Sequence, residues 1–226
     1  SVLDALGAVV DPGGLILLWN SQLSANRLMD AVHQMGEGED FKLKMTPTDF
    51  RVTIAGDPTE HRAFLAASDS ELDLAFLQLE DKPAHPLVSI EFGKSKPAAI
   101  GDTVMGVSRL SPAFDRAAFF ETGHIAGRIA KPTAALILDA SPALLGLPVF
   151  DVEGRAVGAV ATVLSRASEP AAQGGDMMSY FALGRGRMEN GPLGVFLLPG
   201  ERLQELVGAA RQRARELLSE RAAPAP

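Results

Sequence analysis

A carboxylate set among apolar residues, Leu72-Asp73-Leu74-Ala75, and two serines, Ser108 and Ser141, have the side-chain types that acyl transfer uses. That chemistry takes a hydroxyl nucleophile, an imidazole to accept its proton and a carboxylate to orient the imidazole. The histidines are His33, His61, His85 and His124. None is spaced so as to pair with either serine, and each reads as a surface or structural side chain. His33 with Asp30, and His61 with Glu60, are two-residue coincidences of the kind found on solvated faces, short of a full zinc ligand set. The chain has no cysteine, which excludes disulfides, thiolate metal sites and a cysteine nucleophile. No cofactor or metal is expected. Asp73 reads as a buried carboxylate that hydrogen-bonds backbone N–H groups or Ser21.

The stretch DASPALLGLPVFDVEGRAVGAV, residues 139–160, has an unusual composition for a loop. A polar entry runs into Leu144-Leu145-Gly146-Leu147-Pro148, followed by a hairpin that turns at Glu153-Gly154. Loops lie at the surface and carry binding and catalytic residues, so leucines at an apex must be filling a space or meeting a partner.

The elements that would position these residues are mostly strands. DPGG in ALGAVVDPGGLILLW marks a hairpin. FKLKM and FRVTIAG alternate apolar and polar residues, and HRAFLAAS and LDLAFLQLE follow. After a connection rich in Pro and Lys, strand patterns resume in TVMGVSRL, AAFFETGHIAGRIA, TAALILDA, VFDV, RAVGAVATVL and LGVFLL. SQLSANRLMDAVHQMG has room for a short helix. Two sets of about six short strands joined by a long connection predict an all-β chain of two packed β-barrels or a pair of sandwiches. The domain boundaries expected are residues 1–95, 96–199 and, for a C-terminal helix and Ala/Pro tail, 200–226. In that helix Leu203, Leu206, Val207 and Ala210 share a face that docks on its own domain. Arg211, Arg213 and Arg215 suit its C-terminal, negative end.

Composition narrows the function classes. A chain of 226 residues, 46% hydrophobic and 22% charged, has the make-up of a folded globular protein. Its net charge of −7 and the lack of a basic patch argue against nucleic-acid binding. No run of about 18 apolar residues is present to span a membrane. The sequence opens on Ser1 rather than Met, from which we expect a processed start with a signal or anchor removed.

Five stretches, in order and covering roughly residues 5–210, resemble the trypsin-like proteases of the HtrA/Deg type. GAVVDPGGLILLWNSQL is similar to that family's opening hairpin, which ends in Thr-Asn-x-His-Val-Val. FRVTIAGDPTEHRAFLAASDSELDLAFLQLE resembles its strand pair closing on Asp-Leu-Ala-x-Leu. SIEFGKSKPAAIGDTVMGVS resembles its crossover, and GPLGVFLLPGERLQELV its last strand and helix. LILDASPALLGLPVFDVEGRAVGAVAT is similar to its nucleophile loop, Asp-Ala-x-x-Asn-Pro-Gly-Asn-Ser-Gly-Gly-Pro. The resemblance implies two six-stranded antiparallel β-barrels of the chymotrypsin type with a C-terminal α-helix and a cleft between the barrels. It puts Leu145 at the nucleophile's position, Ser21 at the general base's and Asp73 at the orienting carboxylate's. Ala143 and Leu147 fall at glycine positions of the oxyanion loop, where unusual backbone angles would be costly. Family members carry a PDZ domain after this helix and form trimers; the sequence runs instead into AAPAP, and no PDZ domain is expected.

A leucine has no nucleophilic atom, and a serine hydroxyl is no base at neutral pH. The expectation is therefore a degenerate member, inactive as a protease, that binds other protein subunits as a scaffold in a larger assembly, membrane-associated or not. An alternative is peptide holding in the vestigial cleft by strand addition, and a third, disfavoured, is a hydrolase with a rearranged site. Leu144, Leu145 and Leu147 are candidate contact residues. So are Met177, Met178, Tyr180 and Phe181 of the loop GGDMMSYFALGRGRM, with Arg185 and Arg187 as anchors; the loop could equally pack back on the second barrel. The family precedent implies an extracytoplasmic, bacterial setting.

Overall fold

The computed structural model of the chain describes residues 6–20, 23, 50–81, 83–94, 97–131, 133–140, 142–162 and 195–222. The expected strand and helix near FKLKM and residues 21–36 lie outside the described residues, apart from Leu23.

Strands β1 (Gly7–Asp11) and β2 (Leu15–Trp19) form the first hairpin. Its turn is set by Asp11, whose carboxylate accepts the N–H of Gly13 at 2.8 Å, and by Gly14 at φ 90°. Strands β3 (Phe50–Ile54), β4 (Asp57–Asp69) and β5 (Leu74–Leu79) complete an antiparallel sheet in the order β1-β2-β5-β4-β3. At the β3–β4 turn, Asp57 accepts from the Thr59 N–H at 2.9 Å and lies 3.1 Å from the buried His61 ring. The Thr59 backbone and hydroxyl, then His61, hold the Asp57 carboxyl down to about 2.

A crossover leads to β6 (Thr103–Arg109), β7 (Ala118–Ile129), β8 (Ala135–Asp139), β9 (Pro148–Phe150), β10 (Ala156–Thr162) and β11 (Val195–Pro199), which close into a barrel in the order β10-β11-β8-β7-β6-β9. With β6 left out, the remaining order β7-β8-β11-β10-β9 repeats that of the first sheet strand for strand. The second barrel thus has six strands, and the first sheet, five-stranded among the described residues, curls as a half-barrel, in keeping with the chymotrypsin-like, mostly β fold expected. The β9–β10 turn is fastened by Asp151, which accepts from the N–H groups of Glu153 and Arg155 and from Arg155 Nε at 2.8 Å.

Helix α1 (Gly200–Ala222) leaves directly from β11. Leu203, Val207, Ala210 and Ala214 fall at spacings of four, three and four and are buried. They share one core with Val10, Leu17, Phe64 and Phe76 of the sheet and with Ala156, Ala159 and Leu198 of the barrel. Charges fix the helix flanks: Arg211 Nε lies 2.6 Å from Asp11, and Arg221 bonds Glu80 while its guanidinium stacks 4.3 Å from the Phe64 ring. The helix therefore clamps both units, and Arg211 and Arg213 serve side-chain ion pairs, with Asp11 and Glu216, rather than the helix end alone.

Leu203→Ala is expected to cost about 2–5 kcal/mol, the range for a buried leucine with incomplete collapse, measured by urea unfolding. For Asp57 the folded value is depressed below the ordinary 3.8, so its stabilisation is complete above about pH 4 and is lost as pH falls through about 2. The melting-temperature gap between wild type and Asp57→Asn should hold at pH 4–5 and close near pH 2.

Candidate functional site

Asp73 ends the turn before β5 and is 5% exposed, with φ at 53° in the left-handed region. Its Oδ2 accepts a hydrogen bond from the Trp19 indole Nε1 at 2.5 Å, and its main-chain oxygen accepts the Asn20 N–H at 2.8 Å. Trp19 closes β2 and pairs with Leu74 across the sheet, so register alone brings the indole beside the carboxylate. Sequence reasoning missed this donor. Asp73 is buried as expected, and Ser21 lies outside the described residues.

The loop from residue 142 opens with a 3-10 turn, Pro142–Leu144, and its side chains divide by position. Leu144 is 1% exposed and enters the barrel core beside Val104, Val149 and Val160. Its side chain lies over Gly106, where any Cβ would collide with it. Leu147 is also buried, and Leu145 is half-buried and pairs as a single bridge with Val160. Of the two roles open to the leucines, filling and surface contact, Leu144 and Leu147 take the first. Their assignment as surface contact residues is corrected by that burial.

The loop backbone is spent on the barrel. Gly146 N–H donates to the Val160 oxygen at 2.8 Å, Leu147 N–H to the Leu144 oxygen at 2.9 Å, and Val160 N–H to the Leu147 oxygen at 2.9 Å. The buried Ser108 hydroxyl donates to the Ala143 oxygen at 3.0 Å. Ser108 is therefore a brace for the loop, and among the described residues no histidine bonds it. The strained angle falls at Gly146, φ 76°; Ala143 and Leu147 take no positive φ, so the backbone cost expected at those two positions is absent. A side chain at Gly146 would meet the backbone of Leu18 and Trp19. The loop apex thus rests directly on the strand that carries the indole.

Other candidate residues stand apart from this centre. His61 is committed to Asp57 rather than to Glu60, and His85 and His124 are exposed. Among the described residues no three His, Asp or Glu side chains converge on a metal-sized site. A pocket at the start of α1, lined by Gly93, Arg128, Leu136, Val157 and Glu201, shares no residue with Asp73 or the loop. Ser141, His33, Met177, Met178, Tyr180, Phe181, Arg185 and Arg187 lie outside the described residues. No helix of the described residues is long and apolar enough to cross a membrane.

A family model described as a trypsin-like peptidase domain matches residues 7–158. Among solved structures, the apo MamO protease domain from Magnetospirillum magneticum is similar at 15% identity, over 88% of this chain and 86% of its own, with a TM-score of 0.53. The HtrA-type protease AlgW with decapeptide is similar at 17% identity over 91% of this chain, with a TM-score of 0.55. This chain spans 51% of that protein's chain. At these identities the likeness is one of fold. No curated protein sequence matches.

Two substitutions check the geometry. Trp19→Phe removes a donor from a buried carboxylate and is expected to cost about 1.5–3 kcal/mol in urea unfolding. Gly146→Ala should cost more than about 1 kcal/mol, since it adds both the left-handed penalty and a backbone collision. A Gly146→Ala protein as stable as wild type would mean that the loop does not sit against Trp19.

Proposed function

The chain belongs to the trypsin-like peptidase domain family, and we propose that it is an inactive, HtrA-like member of it, a pseudoprotease that binds protein as a subunit of a larger assembly. The observation that carries this reading is the hydrogen bond from Trp19 Nε1 to Asp73. In an acyl-transfer site that carboxylate orients an imidazole, whose second nitrogen takes the nucleophile's proton. An indole N–H is a donor only and has no lone pair with which to accept a proton. Trp19 therefore occupies one oxygen of the carboxylate with a group that cannot relay.

The other end of the reaction lacks its atoms as well. Leu145 stands in the nucleophile's sequence position, and the nearby Ser108 hydroxyl is committed to the Ala143 oxygen. Ser21, in the base's sequence position, supplies a hydroxyl of negligible basicity. Degenerate positions Ala143 and Leu147 sit in a loop whose Gly146 N–H is taken by the Val160 oxygen of β10 and whose Leu147 N–H is taken by the loop's own Leu144 oxygen.

The AlgW structure holds a decapeptide, which makes peptide holding the natural alternative for this chain. The burial of Leu144 in the barrel core, and of Leu147 beside it, takes both leucines out of any peptide-holding surface and favours the scaffold reading. An extracytoplasmic location goes with this proposal on the strength of the family resemblance.

A fluorophosphonate probe should leave the protein unlabelled, and casein and peptide substrates should stay intact at micromolar enzyme. Leu145→Ser alone should not restore labelling, because no proton acceptor is in place. Labelling of any serine in the wild-type chain would overturn the inactive reading. Affinity purification from the host should then return a stoichiometric set of partners; a diffuse mixture of unfolded proteins would favour peptide holding instead.

A further inference from the structure

The β6–β7 hairpin outruns the barrel wall. β6 pairs with β9 only at Met105 and Gly106, and β7 pairs with β8 only from His124 onward. The two strands nevertheless stay paired with each other as far as Arg109 and Ala118. Residues 107–109 and 118–123 thus form a two-stranded ribbon whose outer edges have no strand partner among the described residues. A ribbon of two strands is marginal in water and gains from a third element. Its inner face, with Gly106 and Ser108, covers the loop at Ala143 and Leu144.

Among the described residues nothing covers the outer face, which is largely apolar. Val107 and Phe120 are directly opposite across the ribbon and are 38% and 75% exposed, while Leu110 and Phe114 at the tip are 43% and 65% exposed. The tip that presents them is firmly built. Leu110 N–H donates to the Ala117 oxygen at 3.0 Å, Ala117 N–H to the Phe114 oxygen at 3.1 Å, and Arg109 to the Arg116 oxygen at 3.1 Å. Asp115 and Arg116 hold consecutive left-handed angles, φ 54° and 51°, at neither of which a glycine stands. Strain of this kind persists where surrounding bonds over-determine it, and it fixes the direction in which the phenylalanines project.

We propose that this ribbon joins two copies of the chain about a two-fold axis at Phe120, edge to edge through β7. The free edge reads Ala118-Phe119-Phe120-Glu121-Thr122. Paired antiparallel with itself about Phe120, it sets Phe120 against Phe120, Ala118 against Thr122 and Phe119 against Glu121. Its single charge therefore never faces its own copy, and like charges directly opposite are what such pairing must avoid. The side chain at the centre of that pairing is the most exposed on the ribbon: Phe120 is 75% exposed, and beside it Val107, Leu110 and Phe114 extend an apolar patch of roughly 400 Å², the size at which surface patches are commonly functional. The outer face points away from the 142–147 loop, so this contact is separate from the loss of proteolysis.

Sedimentation equilibrium of the 226-residue chain should show a monomer–dimer equilibrium. Phe120→Asp, at an exposed position, should weaken it by about 30-fold or more, the scale of a hot-spot aromatic, without altering circular dichroism or melting. Phe114→Asp should weaken it in the same direction, whereas Val88→Asp, on the crossover and 91% exposed, should leave it unchanged. Because the chain has no cysteine, Phe120→Cys gives a single thiol that should oxidise to a symmetric disulfide dimer, and Val88→Cys should not do so under the same conditions. A chain that is monomeric at all concentrations, or a dimer indifferent to both aspartates, overturns the proposal. So does a chain that dimerises only after residues 163–194 are removed, since the patch would then be covered from within.

Discussion

The fold hinges on a contact that leaves no room for a side chain. Gly146, at the apex of the loop before β9, lies against the backbone of Leu18 and Trp19 at the end of β2. Because the loop is also bonded to β10 through Val160, its apex ties the barrel to the first sheet at one point. The contact packs on the backbone of Trp19, whose register with Leu74 brings its indole to Asp73. A branched side chain at residue 146 would push the two units apart and carry the indole off the carboxylate. The packing at this point serves cohesion.

Behind that contact, cohesion comes from apolar burial shared by three elements. Leu203, Val207, Ala210 and Ala214 of α1 pack on side chains from the sheet and the barrel alike. Small residues dominate where helix meets barrel, at Ala156, Ala159, Ala161, Ala210 and Ala214, so the helix can approach closely. The barrel keeps a second core of its own, around Val104, Ile125, Leu144 and Val160, in which Leu144 belongs to the loop and not to a strand. An apolar residue at that position makes the loop part of the hydrophobic interior.

Much of this was legible from the chain alone, for identifiable reasons. Asp11-Pro12-Gly13-Gly14 and Glu153-Gly154 announced their turns, because the Asp carboxylate and the left-handed glycines act locally. The helix was legible from the spacing of Leu203, Val207 and Ala210. What escaped was long-range. Trp19 and Asp73 are 54 residues apart, and nothing in either neighbourhood names the other. Ser108 looked like a stray hydroxyl until the fold put it 35 residues back from its acceptor, Ala143. Strain assigned to Ala143 and Leu147 fell on Gly146, because a 3-10 turn at Pro142–Leu144 lets the flanking residues keep ordinary angles. The burial of Leu144 was undecided because the receiving space is made by a missing side chain, that of Gly106, on another strand.

The clamp formed by α1 also bears on the order in which the protein can be made. Synthesis delivers β1 to β5 first, ending at Leu79, and the helix that covers their inner face ends only at Ala222. At about 5–20 residues per second, roughly 7–30 s separate the two events on the ribosome. During that interval the open-sided first sheet lacks the partner for Val10, Leu17 and Phe64, whereas the barrel can close its own hydrogen-bond circuit before α1 emerges. The half of the chain that is translated first is the half completed last.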